Sequence, residues 1–386
     1  MDLNYFKNSY RKLRRNCPLF ALLAFSLAIV SGFVHLLCFA STDFADFFNI
    51  NVAGAVRFVL AKITGIVPTS LGELIVFCLP FILAFIIGFV IYNTKKERYR
   101  LLTRFFACAF AVVSLFYSTF VFTLGMGYRG RALEEKLGLE RKELTAKELE
   151  ETTAFLVEQI NGYVDQVQFI KDSSSVMPYS FEEMNAKLND AYRAASEKYP
   201  FVMGYSSTIK PVMASKILSK AGLLGMYSYY TGETNVNTDY MDYTLVFTCA
   251  HELSHQRGIS REDDANFMAF LVCLESDDPY IQYAGYLNML EYMLNPLYAA
   301  LKAEGRTSAY SSILRKLDSR VLTEIGVSSQ KTEENQGVIS TVTNKVNDTY
   351  IKVQGVSSGS QSYGLVVELT AAYYKKLNFD RNKESV

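Results

Sequence analysis

The chain has no excess of either charge: 39 lysines and arginines stand against 39 aspartates and glutamates. A nucleic-acid-binding domain carries a concentrated basic face, so that class of partner is set aside. The six cysteines contain no Cys-x-x-Cys pair, which excludes a cysteine-built zinc or redox site. Cys17, Cys38, Cys78 and Cys108 lie in or beside the apolar N-terminal third, while Cys249 and Cys273 lack a disulfide spacing and are expected as buried free thiols. No internal repeat is present. Histidine is scarce, with three in 386 residues, so imidazole chemistry is confined to very few positions.

Apolar side chains are plentiful. They make up half of the residues while a fifth are charged, a mixture that points to a membrane anchor joined to a soluble unit. Three apolar runs stand out, at residues 18–40, 74–92 and 105–125. Each is long enough to cross the hydrocarbon core as a helix. Lys7, Arg11, Lys12, Arg14 and Arg15 precede the first run, and Lys95, Lys96, Arg98, Arg100 and Arg104 separate the second from the third. Basic loops stay in the cytoplasm. The expected topology is therefore multi-pass, with a cytoplasmic N-terminus and everything after about Met126 outside. The first run is too long for the apolar part of a signal peptide and is followed by two more, so it reads as an uncleaved anchor. Residues 44–67 mix apolar and polar side chains and are expected as a short helix lying in the membrane interface.

From Arg129 onward the pattern becomes that of a mostly helical soluble domain. Thr145 to Glu148 and Ser180 to Glu183 each read as a capping box that starts a helix. Helices are expected at residues 131–168, 180–199, 210–220, 242–257, 262–275, 279–304, 307–324 and 361–377. Residues 227–231 are strand-like and residues 232–239 carry turn chemistry with room for a short strand. Residues 336–350 fit either class. The fold class expected is mainly α: an anchor of three transmembrane helices in residues 1–125, then a helical domain with a small β element in residues 126–386.

The chemistry concentrates in His251-Glu252-Leu253-Ser254-His255. Residues four apart share a helix face, so both imidazoles can reach one ion. Glu252 sits beside the first of them and is placed to act as general base toward a water polarised by that ion. A catalytic zinc needs a third protein ligand. The remaining histidine, His35, lies in the first apolar run, so the third ligand must be acidic. Gly258 can turn the chain after the motif helix, and Glu262, Asp263 and Asp264 follow. Each of these three acids is a candidate for the third ligand, and Asp263 is equally placed as a helix N-terminal acid favoured by the dipole. Asn266, four residues after Glu262, is placed to orient a ligand. Ligand type favours Zn2+, although two imidazoles and a carboxylate also suit iron or manganese.

These residues carry a resemblance. The glycine after the motif resembles the turn of the metzincins, but the position that would then hold a histidine is Arg261. Glu262-x-x-Ala-Asn266 resembles the Glu-x-x-Ala-Asp/Asn signature of the gluzincins, which implies Glu262 as third ligand. More broadly, residues 232–239, 247–258 and 261–267, with Tyr128-Arg129 and Ser362-Tyr-Gly364, resemble a bacterial family of unknown function whose members join a membrane anchor to a zincin-like domain. The resemblance implies a bacterial envelope protein and a metallopeptidase, and it supplies no substrate. In zincins a strand beside the metal helix binds extended peptide, so Thr234, Asn235, Val236 and Asn237 are expected along the cleft. Tyr227, Tyr229, Tyr230, Tyr286 and Arg257 are candidates for stabilising an oxyanion.

The reading is a membrane-anchored zinc metallopeptidase acting on a peptide or protein outside the cell membrane, its partners being that substrate and the lipid bilayer. The competing reading is an inactive zincin-like scaffold or sensor with a structural metal. Intramembrane proteolysis ranks lower, because the motif helix is polar and distant from the apolar runs. Oligomeric state is not legible.

Overall fold

The computed structural model describes residues 14–353 and 363–384. Lys7, Arg11, Lys12 and Ser362 therefore lie outside the described residues. The architecture is mainly helical. The N-terminal part comprises α1 (Leu19–Ala40), α2 (Thr42–Thr64), α3 (Leu71–Lys95) and α4 (Tyr99–Thr123). The rest runs α5 (Leu133–Leu137), α6 (Ala146–Tyr163), the short hairpin β1 (Gln168–Phe169) and β2 (Ser175–Val176), α7 (Phe181–Lys198), β3 (Ile209–Pro211), α8 (Ser215–Lys220), β4 (Gly225–Ser228), β5 (Glu233–Val236), α9 (Asp242–Gln256), α10 (Glu262–Leu274), α11 (Pro279–Ala303), α12 (Thr307–Leu314), α13 (Ser319–Asn335), α14 (Val338–Val353) and α15 (Tyr363–Glu384).

The two capping boxes form at Thr145 and Ser180, each hydroxyl accepting from the N3 backbone while the N3 glutamate returns a bond to the cap. Three differences from the sequence reading stand out. Residues 209–211 extend as β3 instead of joining α8, because Ile209 to Pro211 pair in parallel with Thr234 to Val236. Residues 307–324 divide into α12 and the start of α13, with Asp318 capping the second by accepting from Arg320 N. The open stretch 336–350 is helical, as α14.

Among the described residues four helices are long and apolar enough to cross a membrane: α1, α2, α3 and α4. The second differs from the others. It contains a π-helical segment at Phe48–Ala53 and buries Arg57 completely. Arg57 donates from its two terminal nitrogens to the Asn49 side chain, to Asn49 O and to Thr123 O, while its Nε has no partner among the described residues. Both ends of α2 touch residues that follow α4. Near its start, Asp46 pairs with Arg131 and with Lys136; near its end, Lys62 Nζ donates to Ser206 O at 2.8 Å. At the opposite end of the bundle, Arg100 and Arg104 donate to the Arg15 carbonyl, joining the basic ends of α1 and α4.

The core of the following domain forms where α9, α10 and α11 meet α6, α7 and α15, filled by Leu156, Tyr192, Val246, Leu253, Phe267, Phe270, Leu287 and Leu290. Cys249 and Cys273 are buried there as free thiols. The three-stranded sheet has the order β3-β5-β4, parallel on one side of β5 and antiparallel on the other. It leans on α9. A buried ion pair joins the sheet to α3: Lys210 meets Glu233, whose carboxylate also accepts the first two N–H groups of α3, from Leu71 and Gly72. Removing one member of such a pair costs about 3–5 kcal/mol, since the other charge is left buried alone.

Candidate metal centre beside the last apolar helix

The helix α9 is buried over nearly its whole length, which fixes its rotation and aims one face at the turn that follows. That turn, Arg257 to Arg261, is tight. Gly258 has φ +96, a left-handed conformation, and an added Cβ would meet the Arg57 guanidinium 2.4 Å away. Asn49 Nδ2 of α2 donates to Gly258 O at 2.9 Å, and Ser260 Oγ donates to Leu124 O at 2.7 Å. The turn is thus held between α2 and the end of α4. It folds α10 back beside α9, so that Glu262, in the first turn of α10, meets the two histidines.

Donor atoms of His251, His255 and Glu262 all lie within 4.8 Å of one another. Nε2 of His251 is 3.3 Å from one Glu262 carboxylate oxygen and Nε2 of His255 is 3.5 Å from the other. Charge-assisted hydrogen bonds are shorter than this, about 2.7–2.9 Å. Donors placed about 2.0–2.1 Å from a tetrahedral ion are separated by about 3.3 Å. The residues present therefore fit a divalent cation. His255 Nδ1 lies 2.8 Å from Ile259 O. A carbonyl can only accept, so Nδ1 carries the hydrogen and Nε2 faces the site.

The electrostatics agree with this arrangement. Burial acts to lower His255, but the Glu262 charge and hydrogen bond outweigh it and His255 is pushed up to about 9. Burial acts to raise Glu262, and the two histidines outweigh it, holding the carboxyl well below the usual range.

Glu252 stands next to the triangle without belonging to it. It is buried, and burial raises its pKa while the two imidazoles oppose the shift. The backbone N–H of Tyr227 in β4 donates to it, and Oε2 has no partner. Gly225, also in β4, passes so close that a Cβ there would lie 2.6 Å from Glu252 Oε1.

The neighbouring acids are engaged elsewhere. Asp263 pairs with Arg141 at 2.9 Å, and Asp264 accepts from Leu133 N at 3.2 Å. They bind α10 to the segment around α5, leaving Glu262 as the acid at the histidines. Asn266 is buried and accepts from Tyr292 of α11 at 3.2 Å, while His251 Nδ1 is buried without a partner; the expected bond from Asn266 to a ligand is thus not formed with His251.

The expected cleft strand needs correction. Thr234, Asn235, Val236 and Asn237 are all buried, and β5 is paired on both edges, so no peptide can add to it. Asn235 and Asn237 spend their amides on Ser228, Ser219 and nearby carbonyls. Among the described strands β4 is the one next to Glu252 with a free edge.

Of the oxyanion candidates, Arg257 is buried and donates to Leu253 O, Gln256, Asn189 and Tyr205 O. Tyr286 stacks on Tyr163 in the core, and Tyr229 and Tyr230 pack on Phe120 and Phe116 of α4. The Tyr227 hydroxyl is buried without a partner. Tyr128 and Tyr350 pack edge to face, and the Glu262 charge acts to raise both phenols. Burial pushes Tyr350 up to about 12, so it keeps its proton at neutral pH. No spacing in the sequence singles out Tyr350, which lies nearly a hundred residues after the motif in a stretch of open assignment.

A family pattern matches residues 52–371, from the middle of α2 to the last described helix. The chain belongs to the DUF3810 family. Its members are described as proteins of unknown function, so membership brings no reaction with it. No curated protein and no solved structure matches the chain.

Proposed function

We propose that the protein is a zinc metallopeptidase anchored by α1, α3 and α4, with its catalytic domain outside the cell membrane. The observation that carries the reading is the triangle of His251, His255 and Glu262 donors with Glu252 buried beside it, one of its oxygens unpartnered. A bound zinc would supply the Lewis acid that polarises a water and a peptide carbonyl. Glu252 takes the proton of the attacking water at Oε2 and passes it to the leaving amine, helped by the burial that raises its pKa. The Tyr227 N–H holds the carboxylate in place. Tyr350, protonated and within reach of the Glu262 charge, is the donor best placed for a developing oxyanion. The free edge of β4 offers backbone groups to an extended peptide.

Three spans are proposed, with α2 lying along the interface. A helix that crosses the bilayer delivers its ends to opposite faces, whereas both ends of α2 engage the same domain. Its outward face exposes Phe47, Val59 and Ile63, as an interfacial helix does. With the basic ends gathered around Arg15, the positive-inside rule puts the N-terminus in the cytoplasm.

The test is metal content and turnover of the full chain. Wild type should carry about one zinc and hydrolyse a peptide library, and Glu252→Gln should keep the metal and lose hydrolysis. Absence of metal in wild type overturns the reading. Hydrolysis unchanged in Glu252→Gln removes its mechanism. An inactive scaffold would hold metal with no turnover in either form.

A further inference from the structure

The helix α14 runs from the turn before β4 to Tyr128 with an apolar face that nothing among the described residues covers. Val338, Ile339, Val342, Val346 and Val353 are 57–81% exposed. Their spacing of three, four and seven residues lines one side of a helix. The opposite side packs inward: Ser340 is buried, and it lies against Gly222 in the turn before β4.

Both ends of α14 are tied to ends of spanning helices. At its C-terminal end Tyr350 packs on Tyr128, five residues past the end of α4. At its N-terminal end it rests on the α8–β4 turn, and α8 is itself tied to α3, where Glu73 in the first turn accepts from Met213 N at 3.0 Å and Ala214 N at 2.7 Å. A helix fastened at both ends to the same level of the bundle runs parallel to the membrane plane. The level is low. Tyr230, in the β4–β5 turn, packs at 5.3 Å on Phe116, which lies about 10 Å from the end of α4 at 1.5 Å per residue. Met213 and Ile217, at 72% and 67% exposure, continue the apolar surface around α8.

We propose that the exposed faces of α14 and α8 seat in the outer leaflet of the bilayer and form an apolar rim that opens the metal centre onto the membrane surface. The occupant of the rim is lipid, because the spans fix its height and a soluble partner would have to displace the headgroups to reach it. Resting on the peptidase reading, the substrate class narrows to polypeptides held at that surface, such as the juxtamembrane segment of an anchored chain.

The chain has no tryptophan, so a single introduced indole reports alone. The full-length Val342→Trp and Met213→Trp proteins are placed in phosphatidylcholine vesicles, with and without bromine on the upper acyl chain. An apolar face seated about 5–10 Å into the boundary brings both indoles to the bromines, and fluorescence should fall about twofold or more. Tyr298→Trp, on α11, serves as the reference away from the spans. Quenching at 342 and 213 well above the reference supports the rim. Quenching at 342 no greater than at 298 overturns it, whether a second copy or a soluble chain covers the helix instead. The readout needs neither metal nor turnover, so its failure is separate from failure of the peptidase reading.

Discussion

Asn49 Nδ2 donates to the carbonyl of Gly258 across 2.9 Å, and the two residues are 209 positions apart. The bond fastens α2 to the turn between His255 on α9 and Glu262 on α10. Asn49→Ala leaves the Gly258 carbonyl and the Arg57 guanidinium each short of a buried partner, and should destabilise the protein by about 1–3 kcal/mol in a detergent melt. Gly258→Ala should cost at least as much, since its φ of +96 and the nearby Arg57 both oppose a Cβ. A melt unchanged in both variants would deny the clasp.

Gly225 is the close neighbour of Glu252. Gly225→Ala should displace the carboxylate and lower kcat by roughly tenfold or more while zinc content stays at wild-type level, because the ligands are untouched. Loss of zinc along with activity would mean that the substitution reaches the ligands instead.

The three consecutive acids divide their work. Glu262→Ala should abolish stoichiometric metal binding. Asp263→Asn should keep the metal and lower stability, by about 1–3 kcal/mol, through the lost charge on Arg141. Metal analysis by mass spectrometry checks both, and metal retained in Glu262→Ala would remove it from the ligand set.

Glu291 provides a pH signature distant from the metal. It is half-buried, accepts from Tyr243 at 2.9 Å, and loss of hydration pushes it up to about 7. Its pKa is higher in the folded state than in the unfolded chain, so its contribution is fully present below about pH 4.3 and is lost as pH rises through about 7. Glu291→Gln should flatten that fall, gaining of order 3 kcal/mol over wild type above pH 7. Parallel pH dependence in the two proteins would count against it.

Much of the helical pattern was legible because its determinants are local. Capping boxes at Thr145 and Ser180 act within one turn, and apolar runs declare themselves by length. The cluster of His251, His255 and Glu262 was legible for the same reason. His251 and His255 share a face by helical period, and Glu262 follows after one short turn. The strand next to Glu252 was not: β4 and β5 have similar local chemistry, and only the parallel pairing of β3 makes β5 central and leaves β4 at the edge.

The sequence by itself determined three apolar runs, the spacing of two imidazoles and the basic residues that flank the apolar runs, all of them short-range properties of the chain. The tertiary structure alone decided that Asp263 and Asp264 turn away to Arg141 and Leu133, that α2 lies against the domain it precedes, and that Tyr350 comes back to Tyr128 from 222 residues away. Each of those depends on which distant surface a side chain meets, and that follows from the packing of whole helices, which no local pattern encodes.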